Sequence, residues 1–452
     1  MAIIIIGLML ALKCMADTHY VSLSGTNNPP FTNWPDASTN IIWAVSEAGS
    51  DDTVLVSNGV YYVTNQIYDS ASITLRSLNG RDVTILNGAN ATTSRCLYLS
   101  SASAVFDGFT VTNYSTKGND GVLRGYNFLN CSFVSNRTSS IGANTGGRGA
   151  VYPFTGAIIT NCLFKNNVNN YGGGIYAAVA HNLLISGCWF ENNSGTHGGG
   201  CALLYATNAI ISNCVFTGND GHIDGGGLFI LYGMDNTILN CTITGNVVNS
   251  GTGAGGGIKM YYSGLIKDCS IIGNSAANQG GGIHAGQNSG TNVAIMNCLI
   301  ARNQSSTNIG GGIWLDKGTI ESCTIVSNYA AVAGGGVYMS TNGSGTNNII
   351  YFNTAADAAN FTNTAGNTGL SYSCVIPAVD GVGNITNDPR MIDLAGGNYR
   401  LRVNSPCVNA GTNQNWMTGA VDLEGNSRIR YGIVDMGAYE TILKQGNIYR
   451  VR

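Results

Sequence analysis

Apolar and polar positions alternate in short runs along most of the chain, as in Cys188-Trp189-Phe190-Glu191, and Gly, Asn or Ser interrupts each run within a few residues. A period of two sends successive side chains to opposite faces, so these runs predict short β-strands. One stretch breaks the pattern. Between Ser38 and Ala48, residues Ile41, Ile42, Val45 and Ala48 fall on one helical face, which predicts an amphipathic helix capping the structure that follows.

The alternating runs belong to a repeat with two halves. One half reads Asn-Cys-x-(Phe/Ile)-x-x-Asn, at Asn130-Cys131-Phe133-Asn136 and Asn161-Cys162-Phe164-Asn167, and then around Cys188, Cys214, Cys241, Cys269, Cys298 and Cys323. Copies without cysteine stand at Gly108-Thr110-Asn113 and Asn348-Ile350-Asn353. The other half is a glycine triplet opening an apolar strand: Gly172–Gly174, Gly198–Gly200, Gly225–Gly227, Gly255–Gly257, Gly280–Gly282, Gly310–Gly312 and Gly334–Gly336. The two halves alternate strictly.

A unit of this length, with its cysteines 25 to 31 residues apart, holds about three strands plus turns, which is one coil of a solenoid. The predicted fold is all-β: a single-stranded right-handed parallel β-helix of about twelve coils, a rod of roughly 55–60 Å at ~4.8 Å per coil. The predicted organisation is a signal peptide over 1–16, an N-terminal cap and first strand over 17–56, the β-helix over 57–380, and a C-terminal capping region over 381–452 that closes the last coil.

Each repeated residue has a task in such a coil. The Asn ending the first half is predicted to take a left-handed backbone and to pass hydrogen bonds to its equivalent in the next coil. The glycines allow positive φ and close approach of coils. The cysteines point inward on successive rungs with parallel Cβ vectors, which suits neither a disulfide nor a metal site, so they are read as reduced, buried, small apolar side chains.

Composition agrees: 63 Gly, 7 Pro and 10% charged residues are poor helical material. The run Ala2–Leu12 is too short to cross a bilayer and leads to Cys14-Met15-Ala16, which predicts export to the cell surface or medium. No later stretch is long and apolar enough to span a membrane. The formal charge of −3, with no polybasic segment, excludes nucleic acid as a partner held by counterion release.

The paired motifs resemble the repeats of chlamydial polymorphic outer-membrane proteins, carried here by Phe133-x-x-Asn136 and its successors and by Gly-Gly-Gly-(Ile/Leu/Val). The opening Asp52-Thr53-Val54-Leu55-Val56 with Asn58-Gly59-Val60-Tyr61 is similar to that of secreted pectate-lyase-like β-helices. Ser405-Pro406-Cys407-Val408-Asn409-Ala410-Gly411 and Val434-Asp435-Met436-Gly437-Ala438-Tyr439-Glu440 resemble the C-terminal region of choice-of-anchor Q proteins. These resemblances imply a β-helix used in adhesion or in contact with polysaccharides.

Alternation places Tyr176, Ala202, Phe229, Lys259, His284, Trp314 and Tyr338 in one exterior row, and Ala178, Leu204, Leu231, Tyr261, Gly286, Asp316 and Ser340 two residues on. An exposed aromatic face stacks on the apolar faces of sugars. Tyr176, Phe229, Leu231, Tyr261, Trp314 and Tyr338 are therefore the predicted contacts to a polysaccharide, a cell-surface glycan or a protein partner. The alternative is a polysaccharide lyase or glycoside hydrolase in which Lys259 or His284 removes a sugar C5 proton, with Tyr261 beside them and Asp316 orienting the base or binding Ca²⁺. Ca²⁺ is the only cofactor this reading leaves open, and no metal cluster is predicted. His222 and Asp224 read as turn residues, and His181 and His197 have no evident partner. A purely structural spacer is the third reading.

Overall fold

The computed structural model describes residues 16–89, 95–117, 121–139, 147–286, 292–340, 343–364 and 369–442. All but the last residue of the predicted signal peptide lies outside the described residues.

The chain winds as a right-handed parallel β-solenoid of about 11 turns with almost no helix. Each coil contributes one strand to each of three faces. Face one includes Ile210–Ser212, Asn236–Leu239 and Gly264–Lys267; face two includes Val215–Thr217, Thr242–Thr244 and Ser270–Ile272; face three includes Leu228–Leu231, Ile258–Met260 and Ile283–Ala285. Face two is a 13-stranded parallel sheet. Faces three and one merge into a 24-stranded sheet because Leu123–Leu129 and Val151–Thr160 run through the corner between them.

Identical inward residues stack on successive rungs. Phe133, Phe164, Phe190 and Phe216 form a column with ring centres 4.9, 4.8 and 4.5 Å apart, continued by Ile243, Ile271, Ile300 and Ile325. Burying each such side chain contributes about 1.5–3 kcal/mol. The cysteines among the described residues are buried and free. In the repeat column from Cys131 to Cys323 each thiol donates to carbonyls, as Cys214 does to Ser212 O at 3.2 Å.

The asparagine ladder runs through the corner after face two. Asn219 Nδ2 donates to Asn246 Oδ1 (2.8 Å) and to Phe190 O (2.9 Å), and Asn219 N donates to Asn246 Oδ1 at 3.0 Å. The predicted left-handed backbone is displaced by one residue: it belongs to Ser135 (φ 55°), Asn166 (φ 55°) and Asn192 (φ 53°), which precede the ladder asparagines. That turn aims the next side chain inward, where its amide meets the coil above and below.

In the glycine triplets the first residue makes the turn and the second makes the approach. Gly225 has φ 58°, and a Cβ on Gly226 would lie 2.2 Å from Gly256 O.

The N-terminal helix is short, Ile41–Glu47, capped by Asn40 accepting from Ile42 N, and it buries Ile41, Ala44 and Val45 against the first coil. At the other end Val379 packs on the interior and Ile385 pairs with Cys374. From Met391 the chain folds back along the outside of face two. Met391, Tyr399, Leu401, Cys407 and Met436 pack there against Leu299, Ala301, Val326 and Ile349 of the last coils. Ala438 N donates to Thr324 Oγ1 (3.0 Å) and Trp416 Nε1 to Glu321 Oε2 (2.8 Å). Beyond closing the end, this region covers a side.

Candidate functional site

Face three carries an outer row in which rings, charges and small residues succeed one another from coil to coil. Register places Tyr68, Tyr98, Arg124 and Tyr152 on successive rungs. Tyr176, Ala202, Phe229, Lys259, His284, Trp314 and Tyr338 continue the same line. The row is as predicted in register and corrected in exposure. Tyr176, Phe229 and Trp314 are only 9, 2 and 7% exposed, and Tyr338 is half-buried. The cause is the glycine triplet: its tight turn swings the residue before it over the strand that follows. Those residues form their own parallel ladder, Arg148, Tyr171, His197, Asp224, Ala254, Gln279 and Ile309, and their side chains roof the row.

Rings pack across this seam. His197 stacks on Tyr171 (centres 5.2 Å apart) and on Phe229 (5.0 Å), while Tyr152 stacks on Tyr176 at 5.8 Å. Tyr152, Tyr176, Ala202 and Phe229 make a small apolar cluster of their own, edged by Ala178, Leu204, Leu231 and Tyr261.

Where the roof residue is Asp224, the seam opens. A cleft of about 470 Å³ is lined by His197, Asp224, Phe229, Leu231, Tyr232, Tyr261 and Tyr262. Lys259 Nζ lies 2.5 Å from Asp224 Oδ1 and 4.7 Å from the centre of the Tyr261 ring. His197 Nδ1 lies 3.5 Å from Asp224 Oδ2. At the rim Tyr205 and Tyr232 are half exposed and stacked 4.8 Å apart, and Tyr262 follows at 5.7 Å.

Of the proposed acid–base set, Lys259, Tyr261 and His284 come together. His284 is buried, stacked 4.2 Å from Trp314, and its Nε2 meets Gln279 Oε1 at 3.3 Å. Burial, reinforced by the charge of Lys259, pushes its pKa well below the usual histidine value, so the ring is neutral. Asp316 instead takes the hydroxyl of Ser340. The carboxylate that holds Lys259 is Asp224, read from the sequence as a turn residue, and His197 beside it does have partners. The column preceding the triplets repeats no side-chain chemistry, so neither residue stands out in the sequence. Tyr205, Tyr232 and Tyr262 also carry a sequence signal, each five residues past the last triplet glycine. Among the described residues no three His, Cys, Asp or Glu side chains gather as metal ligands.

Residues 117–298 match the family model described as the right-handed β-helix region. The match spans less than half of the chain, and the fold it describes is that of the solenoid above. The likenesses to chlamydial repeats and choice-of-anchor regions are not confirmed. No curated protein matches by sequence. Similar solved structures include a pectate lyase (12% identity, TM-score 0.42, covering 94% of this chain and 97% of that one) and a rhamnogalacturonan lyase (12%, 0.42, 86% and 95%). A tailspike protein is a third (12%, 0.36, 77% and 70%). At these identities the likeness is one of fold.

Proposed function

We propose that this β-helix protein binds polysaccharide along the seam of face three, acting as a glycan-contacting rod at the cell surface or outside the cell. The observation that carries this reading is the cleft around Asp224, where an apolar ring floor, a fixed carboxylate and exposed tyrosines meet. Sugars present apolar C–H faces and hydroxyl edges; the rings of Tyr232 and Tyr261 suit the first, backed by the buried Phe229, and Asp224, His197 and the tyrosine hydroxyls suit the second. Tyr176, Trp314 and Tyr338 shape the seam as its floor.

A lyase would need a free base. Lys259 is engaged by Asp224, and an ammonium in an ion pair has no lone pair to offer; His284 is sealed from the cleft by burial. Binding is the reading these contacts favour over proton abstraction.

The test is a pull-down of the protein against neutral and acidic polysaccharides with and without Ca²⁺, assaying the same tubes for unsaturated or reducing ends. Retention without products, weakened at least tenfold by Tyr232→Ala with Tyr261→Ala, is expected. Products abolished by Lys259→Met would replace binding with a lyase, and self-association with no retention would leave a structural spacer.

A further inference from the structure

Toward the N-terminal coils the same seam changes character from a paired charge to unpaired ones. The Arg124 guanidinium sits 4.4 Å from the centre of the Phe154 ring and 4.8 Å from that of Tyr152, and the Arg148 guanidinium sits 4.5 Å from the same Tyr152 ring. Tyr126 stacks on Phe154 at 4.8 Å, closing the apolar wall behind them.

Rings hold a guanidinium in place without neutralising it or using its N–H donors. Among the described residues neither Arg124 nor Arg148 meets a carboxylate or donates a hydrogen bond, and Arg124 Nε is enclosed with no acceptor. Several arginines elsewhere are engaged by acceptors, Arg76 by Asp107, Arg428 by Glu440, and Arg302 and Arg402 by backbone carbonyls, although Arg428 Nε is, like Arg124 Nε, enclosed without one. An enclosed donor without a partner is rare in a folded protein. Two adjacent, ring-held guanidiniums with unused donors, in a chain of net charge −3, make a local anion site against the overall charge.

We infer that Arg124 and Arg148 hold the anionic group of an acidic polysaccharide, a carboxylate or a sulfate ester, on the strand of sugar that runs along the seam. The fork of each guanidinium matches two oxygens of such a group. This rests on the glycan-binding reading of the seam and adds the charge class of the polymer.

Dextran, carboxymethyl dextran and dextran sulfate share one backbone and differ in charge, so they separate the two sources. One or both charged polymers are expected to bind at least tenfold more tightly than dextran at low salt, with the preference falling as salt rises. The derivative preferred identifies the group. The double variant Arg124→Gln with Arg148→Gln is expected to remove the preference while leaving the far-UV circular dichroism and melting temperature unchanged, and Arg148→Lys to keep part of it. The inference is overturned if neither charged polymer is retained, if the preference survives the double variant, or if Arg76→Gln on face one lowers it equally. Retention of neutral polysaccharide through Tyr232 and Tyr261, with no effect of the arginines, would sink this inference alone; loss of all polysaccharide binding would sink the reading beneath it.

Discussion

The solenoid covers its outer surface in two places and by two means. On face two a separate segment, from Met391 onward, lies over Leu299, Ala301, Val326 and Ile349 and seals them with its own apolar side chains. On face three only the single residue before each glycine triplet reaches over, so the cover is as thick as one side chain and as varied as the residue supplying it. A full cover makes an interface whose business is stability. A partial one leaves rings and charges between roof and floor, open at Asp224.

The strongest challenge to this contrast is Arg428→Met. Arg428 is fully buried under the C-terminal segment, 3.4 Å from Glu440 Oε1 and 3.0 Å from Gly437 O. Removing it leaves Asp422, Asp435 and Glu440 without their cation, which is expected to cost about 3 kcal/mol or more. Loosening of the segment is read from Trp416 fluorescence, with the far-UV signal of the solenoid retained. Loss of the whole β signal would mean that the cover is part of the coil.

A smaller effect is expected from Lys259→Met. It strands Asp224 in a cleft that water can enter, at a cost of about 2 kcal/mol by denaturant unfolding. Adding Asp224→Asn should recover most of that loss. A cost equal to that of Arg428→Met, unrelieved by the second change, would make the two covers alike.

The third effect concerns pH. Burial raises the Glu440 carboxyl from its ordinary 4.5 to about 8, outweighing the pull of Arg428, and raises Asp435 in the same direction. The folded segment therefore holds the proton more tightly than the unfolded chain does. This stabilisation is complete below about pH 4.5 and is lost as pH rises to about 8. Trp416 fluorescence should show the segment loosening across that window in the parent protein, and Glu440→Gln should flatten the profile.

The inner half of the molecule was legible in the sequence because it repeats. Phe190, Cys214 and Asn219 recur at one offset in coil after coil, and identical side chains on successive rungs have one consistent packing. The seam was legible only in part. Alternation put Phe229, Lys259 and Trp314 on the outside of the strand, but whether an outer residue is exposed depends on what crosses above it. That crossing is set by a turn of three glycines, which carry no side-chain pattern. Asp224 reads as a turn residue for the same reason: its neighbours in the column, His197 and Ala254, share a position and no chemistry. The backbone of the ladder asparagines was misplaced by one residue because a turn and the side chain it aims occupy adjacent positions.

The asparagine ladder has a mechanical consequence. Every side-chain amide donates toward the C-terminal coil, from Asn136 to Asn167, Asn193, Asn219 and onward to Asn360. The rungs are thus linked in series, and tension between the two ends of the rod loads all of them equally. An end coil is held by one neighbouring coil and its cap, an inner coil by two neighbouring coils, so the ends peel first. Each coil of 25 to 31 residues then releases about 80–100 Å of extended chain in place of its ~4.8 Å rise. A stiff rod of this construction yields under load as a long tether, one turn at a time.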